Sequence, residues 1–224
     1  MHCPRLDHFV RFNPNGSVGR CGHMVNSPAF DNLSLMDNSQ RLLSMKQKFA
    51  DGTFPNVHWT VSVESIEEEF EYIRYGGKWV DFVDNLTIIK NLEHKISFNM
   101  LHFLLNYQSL FTCIEFLQGM GFHPNSFVVG QLLNSDYLNI RHLPANMLMQ
   151  VGVVIQQWLD KKHGFLLDNG LENVLKYISI PINSNIDNCL LEIAKLDSRR
   201  GIDSKRVFTT FYKDVKGNNN GNSI

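Results

Sequence analysis

Apolar residues follow two alternating spacings after residue 57 of the chain. Short β-rich runs are separated by longer stretches whose apolar residues recur at helical spacing. The predicted strands are 58–63, 95–100 and 126–133, and the predicted helices between and after them are 65–75, 79–92 and 108–119. Strands that alternate with helices favour parallel pairing through right-handed crossovers. The pattern therefore predicts an α/β fold with parallel strands and crossover helices.

The flanks of this region show different patterns. Residues 7–21 predict a small β-hairpin, because Asn13-Pro14-Asn15-Gly16 is typical turn chemistry between two short strands. Beyond the predicted sheet, residues 144–161, 171–178 and 186–197 predict further helices. The polar, Gly-rich end of the chain is expected to be disordered. Four segments follow: 1–56 with the hairpin, 57–143 with the α/β region, 144–216 with the helices, and the tail 217–224.

Several polar residues have predicted positions at the ends of these elements. Ser65-Ile66-Glu67-Glu68 has the form of a capping box, so a helix is predicted to start there, with Glu67 to Glu69 as its acidic first turn. Asn106 is a predicted cap of the helix that follows the second strand. Cys113 and Cys189 fall within helical apolar patterns, which predicts that both are core residues.

Composition and charge narrow the function classes. The formal net charge is -1, so nothing in the overall charge indicates nucleic acid or anionic lipid as a partner. No run approaches the roughly 18–20 apolar residues of a membrane span, and no apolar signal-peptide core follows the N-terminus. The four cysteines are scattered without a C-x-x-C pair. We therefore expect a cytoplasmic protein with reduced thiols.

Two stretches resemble a known family when they are taken in order. The first runs from Cys3-Pro4 through His8 and Asn13 to Val18 and on to Cys21, and the second covers residues 58–141. The second includes Val61 to Ser65, Tyr72 to Trp79, Asn85-Leu86, Ile96 to Met100 and Asn106 to Gly121. Together they resemble radical S-adenosylmethionine proteins with a twitch- or SPASM-like N-terminal segment, many of them phage-encoded. Leu196 to Gly201 adds a further similar phrase.

The resemblance implies a fold and a chemistry. The region from residue 57 would be the second half of a partial (β/α) barrel, and the cofactors would be S-adenosylmethionine and a [4Fe–4S] cluster. The family holds that cluster with C-x-x-x-C-x-x-C, which this sequence lacks; Val57-His58-Trp59-Thr60 follows Phe54-Pro55-Asn56 instead. Thiolates are the general ligands of such clusters. The chain therefore looks like an internally deleted member of the family.

By resemblance, Ser62, Glu64 and Asn99 would bind the ribose and methionyl parts of S-adenosylmethionine near strand ends. Their alternative role is to cap loops. Cys3 and Cys21 would be two metal ligands of an auxiliary cluster, with ordinary reduced thiols as the alternative. His8, His23 and His58 could complete a ligand set with these cysteines, although their spacing matches no compact zinc pattern.

Two classes of function remain open at this point. One is a radical S-adenosylmethionine enzyme acting on a peptide, a sugar or a nucleotide. The other is a non-catalytic remnant or binding module that keeps the family outline. A third possibility is one half of a split enzyme, in which a partner chain supplies the missing half of the barrel. The missing cysteine motif distinguishes them, because the chemistry requires a cluster that this chain alone does not provide.

Overall fold

The computed structural model describes residues 9–12, 18–19, 47, 58–132 and 136–219. These residues form an α/β fold, as predicted, with a parallel sheet, flanking helices and further helices toward the C-terminus. The strands are β1 (Phe9–Phe12), β2 (Val18–Gly19), β3 (His58–Ser62), β4 (Lys95–His102) and β5 (Phe127–Gln131), and their order in the sheet is β2-β1-β3-β4-β5.

The helices are α1 (Glu67–Ile73), α2 (Trp79–Asn91), α3 (Ser109–Gly119), α4 (Ala145–Asp160), α5 (Phe165–Ile178), α6 (Ile186–Arg200), α7 (Ser204–Val207) and α8 (Thr209–Asn219). Helices α1 to α4 and α6 lie close to their predicted positions, whereas α5 begins six residues earlier than predicted and α7 and α8 had no predicted bounds. Helix α8 continues to Asn219, so residues 217–219, predicted as part of a disordered tail, are helical. Short 3-10 turns occupy Pro124–Ser126, Asp136–Leu138 and Ile140–His142. Among the described residues, no helix is long and apolar enough to cross a membrane.

The chain divides into two compact units. The first contains Met1–Ser62 and Ile73–Phe98, and the second contains Val63–Tyr72 and Asn99–Ile224. In the first unit the predicted hairpin is present, because β1 pairs antiparallel with β2. Strand β1 also pairs in parallel with β3, with Phe9 opposite His58.

Buried aromatic and apolar residues hold the first unit together. Trp59 is fully buried, and its indole Nε1 donates a hydrogen bond to His94 Nδ1 at 2.9 Å. The neighbouring His58 Nε2 lies 2.7 Å from Ser97 Oγ, which links β3 to the start of β4. Helix α2 contributes Leu86 and Ile89 to the core. Its apolar residues were predicted from their spacing, and the helix forms over the predicted range.

The second unit packs α5 directly against the edge strand β5. A Cβ on Gly170 would lie only 2.5 Å from the backbone oxygen of Val129, so glycine is what allows this close approach. Leu167, Leu171 and Val174 of the same helix are fully buried. The contact covers a strand that would otherwise expose unpaired backbone groups.

A half-buried carboxylate joins the C-terminal helices to α1 within the second unit. Asp197 of α6 accepts hydrogen bonds from Tyr72 Oη at 2.7 Å and from Ser204 Oγ at 2.6 Å. Ser204 Oγ also lies 2.7 Å from Tyr212 Oη. Burial first, and then the bond to Asp197, raises the pKa of Tyr72, so its hydroxyl stays a donor. These contacts position α1 and the loop before it.

Two predicted caps are different in the structure. Helix α1 begins at Glu67, whose φ is 51°, and Ser65 uses its hydroxyl to donate to Glu69 Oε2 instead of forming the predicted capping box. Asn106 is not the N-cap of α3, because Gln108 occupies that position. Each of these polar side chains also bonds to a distant segment, Ser65 to Ser109 and Asn106 to the backbone of Glu64, and such partners cannot be predicted from a local sequence pattern.

Candidate functional site

The loops that follow β3 and β4 bring five polar residues together in the second unit. They are Glu64, Ser65, Glu69, Asn106 and Ser109, and we call them the carboxyl-edge cluster. Ligands of parallel α/β folds bind outside the carboxyl ends of the strands, so this is the expected location of a site. Glu64, Ser65 and Asn106 are buried, with exposures of 2%, 0% and 0%. Polar residues buried to this extent require partners.

Asn106 ties the two loops to one another. Its Nδ2 donates to the backbone oxygen of Glu64 at 3.0 Å and to that of Leu101 at 2.8 Å. Its Oδ1 accepts from the backbone nitrogen of Phe103 at 2.8 Å. One amide side chain therefore fixes the backbone that leaves β3 and the backbone at the end of β4. The cluster is held in place by this residue.

Ser65 forms the polar centre of the cluster. Its Oγ donates to Glu69 Oε2 at 2.6 Å and lies 3.0 Å from Ser109 Oγ at the start of α3. The half-buried Glu69 carboxylate is thus oriented by a buried hydroxyl. A carboxylate oxygen has several lone pairs, so Glu69 can still accept hydrogen bonds from a ligand hydroxyl.

The electrostatic character of this region is negative. Burial, a hydrogen bond to Asp214 and the charges of Asp214 and Glu69 raise the pKa of Tyr107. Burial and the charge of Glu64 raise the pKa of the Cys113 thiol. In both cases nearby carboxylates add to the larger effect of burial, so the local field beside the cluster is negative. Such a field favours a cation or a hydroxyl donor and disfavours phosphate.

The three predicted S-adenosylmethionine-binding residues have different environments. Ser62 is the last residue of β3 and is half-buried in the first unit. Glu64 belongs to the carboxyl-edge cluster, with its side chain enclosed by protein. Asn99 is exposed in the interior of β4, and its backbone oxygen accepts from Val63 at 3.3 Å. Strand β4 continues to His102, so Asn99 lies three residues before the end of the strand, and its predicted role in binding stays a prediction.

The described cysteines do not fit an iron–sulfur cluster. Cys113 and Cys189 are buried free thiols, which confirms their prediction as core residues. Burial, then the charge of Asp136, raises the pKa of Cys189 to about 11. Cluster ligation needs thiolates, and both groups are held as thiols. No group of three or more His, Cys, Asp or Glu in the described part of the chain could hold a metal ion. Cys3 and Cys21 lie outside the described residues.

Sequence reasoning missed Glu69, Asn106 and Ser109 as members of the site. Glu69 was interpreted as part of an acidic helix turn, and Asn106 as a cap. A polar residue soon after a buried strand was the available signal for Asn106, since it follows β4 by four positions. For Ser109 there was no local signal, because its partner Ser65 lies 44 positions away, whereas Glu69 follows Ser65 by four positions and could have been paired with it.

Comparisons with known proteins yield no relative. No protein-family profile matches the chain, no curated protein resembles it significantly, and no solved structure does either. The function is therefore argued from the residues of this chain.

Proposed function

We propose that this chain is a radical S-adenosylmethionine-type half barrel that binds an adenosyl sulfonium ligand and does not cleave it alone. The carboxyl-edge cluster carries the proposal, because it presents oriented carboxylate oxygens where ligands of parallel α/β folds bind. The order of family-like phrases along the sequence supports the choice of ligand. Three parallel strands in the predicted order are also compatible with part of such a barrel.

The charge of the cluster suits this class of ligand. S-adenosylmethionine carries a positive sulfonium and a ribose diol. Glu69 is half-buried and can accept a ribose hydroxyl, while Glu64 and Asp214 add negative charge around it. Glu64 is enclosed, so we assign it to the electrostatic field and Glu69 to direct contact. Asn99 remains a proposed contact on the exposed face of β4, and Ser62 stays a prediction.

Reductive cleavage of S-adenosylmethionine has a requirement beyond binding. It needs an iron–sulfur cluster held by protein thiolates, and this sequence has no C-x-x-x-C-x-x-C motif. Cys113 and Cys189 are enclosed thiols with raised pKa values, so they do not replace the motif. A binding role without chemistry is therefore the function we propose for the isolated chain, and S-adenosylmethionine affinity is expected to be weak.

Calorimetric titration of the full chain tests the binding role. S-adenosylmethionine is compared with S-adenosylhomocysteine, which has the same adenosyl group and a neutral thioether. We expect the sulfonium to bind more tightly, and Glu69→Gln to weaken its binding about fivefold, equivalent to roughly 1 kcal/mol for a partly screened charge. The matched control is Glu115→Gln, which neutralises an exposed glutamate of α3. Absence of binding, or equal losses in the two variants, would contradict the proposal.

A further inference from the structure

The loop after β5 contains an arginine whose surroundings differ from those of the carboxyl-edge cluster. This loop leads through the 3-10 turns Asp136–Leu138 and Ile140–His142 to helix α4. It follows the carboxyl end of a parallel strand, where α/β folds bind ligands. The buried Asn139 anchors it: Asn139 Oδ1 accepts from the Arg141 backbone nitrogen at 3.1 Å, and Nδ2 donates to Tyr177 Oη at 2.7 Å.

Tyr177 of α5 forms the platform for the Arg141 guanidinium. The Arg141 Cζ atom lies 4.2 Å from the centroid of the Tyr177 ring. This is a close cation–π contact, which restrains the plane of the guanidinium. Because Asn139 bonds the hydroxyl of the same tyrosine, the ring is itself fixed. The arginine is therefore oriented before any ligand arrives.

The hydrogen-bonding capacity of Arg141 is unused in the described part of the chain. Its Nε is buried and has no hydrogen-bond partner. A buried donor without a partner is unfavourable, and natural proteins usually satisfy such groups. Arg141 makes no ion pair with a described carboxylate either. The guanidinium is thus an oriented cation whose charge no described carboxylate neutralises, and a ligand oxyanion could supply that acceptor.

The carboxylate nearest to Arg141 in sequence, that of Asp136, lies beside His142. His142 Nδ1 accepts from the Asn185 backbone nitrogen at 3.2 Å, so Nε2 carries the ring hydrogen of the neutral imidazole. That Nε2 lies 3.5 Å from Asp136 Oδ1. The Asp136 side chain is 90% exposed, so water screens its charge. Arg141 is thus available for an external anion.

We propose that Arg141 anchors a binding site for a small oxyanion, a carboxylate or a phosphate group of a ligand. The two terminal Nη groups of a guanidinium form a fork that matches two oxygens of such a group. The site does not include the carboxyl-edge cluster, and it does not depend on S-adenosylmethionine as the ligand of that cluster. It adds a second recognition element, selective for negative charge, on the loop after β5.

Nuclear magnetic resonance of the arginine Nε–Hε groups tests this site in the full chain. Inorganic phosphate and acetate are titrated separately at constant ionic strength, so the two arms distinguish phosphate from carboxylate. The Arg141 signal is identified by its loss in Arg141→Lys. We expect it to shift saturably with at least one anion, with a dissociation constant in the approximately millimolar range.

Two variants complete the test. Arg141→Gln, monitored for folding by circular dichroism, should weaken binding of that anion at least about tenfold in ligand-detected spectra. Arg199→Gln removes an exposed arginine of α6 and should leave the affinity unchanged. A linear, non-saturating response of the Arg141 signal to both anions would overturn the proposal. Equal affinity in Arg141→Gln and Arg199→Gln would do the same.

Discussion

Buried polar residues determine the local geometry of the candidate site. Asn106 is fully buried and satisfies two carbonyl oxygens and one backbone nitrogen from two different loops. An aspartate or leucine there could not supply the same two donors and one acceptor. The residue therefore explains how irregular loops at the ends of β3 and β4 keep a fixed shape without secondary structure.

His102 makes the stability of the protein depend on pH. It is fully buried, its Nε2 lies 3.1 Å from the backbone oxygen of Tyr107, and its Nδ1 has no hydrogen-bond partner among the described residues. Burial lowers its pKa from 6.5 to about 4, although the bond to Tyr107 opposes this. The unfolded chain therefore binds a proton at higher pH than the folded one. Stability is present above pH 6.5 and is lost as pH falls toward 4.

Urea unfolding at pH 7 and pH 5 measures this effect. We expect His102 to account for a loss of about 2 kcal/mol in the free energy of unfolding between these values. His102→Gln, which keeps a donor for Tyr107, should lose correspondingly less on acidification. A His102→Gln profile parallel to the wild-type profile would mean that His102 does not titrate differently on folding.

At the scale of elements, two helical glycines have opposite roles. A Cβ on Gly170 of α5 would lie 2.5 Å from the Val129 oxygen and 3.0 Å from the Val129 nitrogen, both in the backbone of β5. A Cβ on Gly152 of α4 would lie 3.6 Å from a side-chain carbon of Leu175, an ordinary van der Waals distance. The same chemical change therefore meets a rigid strand backbone in one helix and an ordinary side-chain contact in the other.

Thermal or urea unfolding of Gly170→Ala and Gly152→Ala separates these roles. Gly170→Ala should destabilise by about 1–3 kcal/mol, because overlap with a strand backbone outweighs the helix propensity of alanine. Gly152→Ala should stabilise by about 0.5–1 kcal/mol through propensity alone. If both substitutions stabilised the protein, the close approach of α5 to β5 would be incorrect.

The sequence predicted elements better than it predicted site residues. The spacing of apolar residues correctly predicted β3, β4, β5 and the helices between them, because each of these elements depends on a local periodicity. The end of β4 was predicted less well. The strand extends through Met100 to His102, two residues beyond the predicted end, so Asn99 lies further from the strand end than predicted. Strand ends depend on the partner strand, and a single sequence does not contain that information.

At the scale of the whole molecule, long-range contacts create the functional candidates. Tyr107 meets Asp214 across 107 positions, and Arg206 meets Glu68 across 138. The Arg141 site likewise depends on Tyr177 from another helix. None of these pairs follows from periodicity, since residues far apart in sequence meet only through the topology. The family resemblance indicated the carboxyl edge of the sheet as the location of a site, and the long-range contacts determine which residues lie there.

The last prediction concerns the chemistry of the whole chain. Radical formation from S-adenosylmethionine requires an iron with an open coordination position, and that iron belongs to a cluster anchored by protein thiolates. The sequence offers four cysteines, of which Cys113 and Cys189 are buried thiols. Cys3 and Cys21 provide at most two more ligands and no C-x-x-x-C-x-x-C.

We therefore expect that the purified chain, incubated with dithionite under argon, yields no 5′-deoxyadenosine above a protein-free control in chromatographic analysis. Deoxyadenosine made by the chain alone, and abolished by Cys3→Ala with Cys21→Ala, would contradict this expectation and favour the enzymatic hypothesis.

A second polypeptide that bears C-x-x-x-C-x-x-C tests the split-enzyme hypothesis. If product appears only in the mixture, and Glu69→Gln reduces it while Glu115→Gln does not, this chain supplies the adenosyl-binding half of a split enzyme. If the mixture yields no more than the second polypeptide alone, the binding role without catalysis stands, because the chain then adds nothing to a competent cluster.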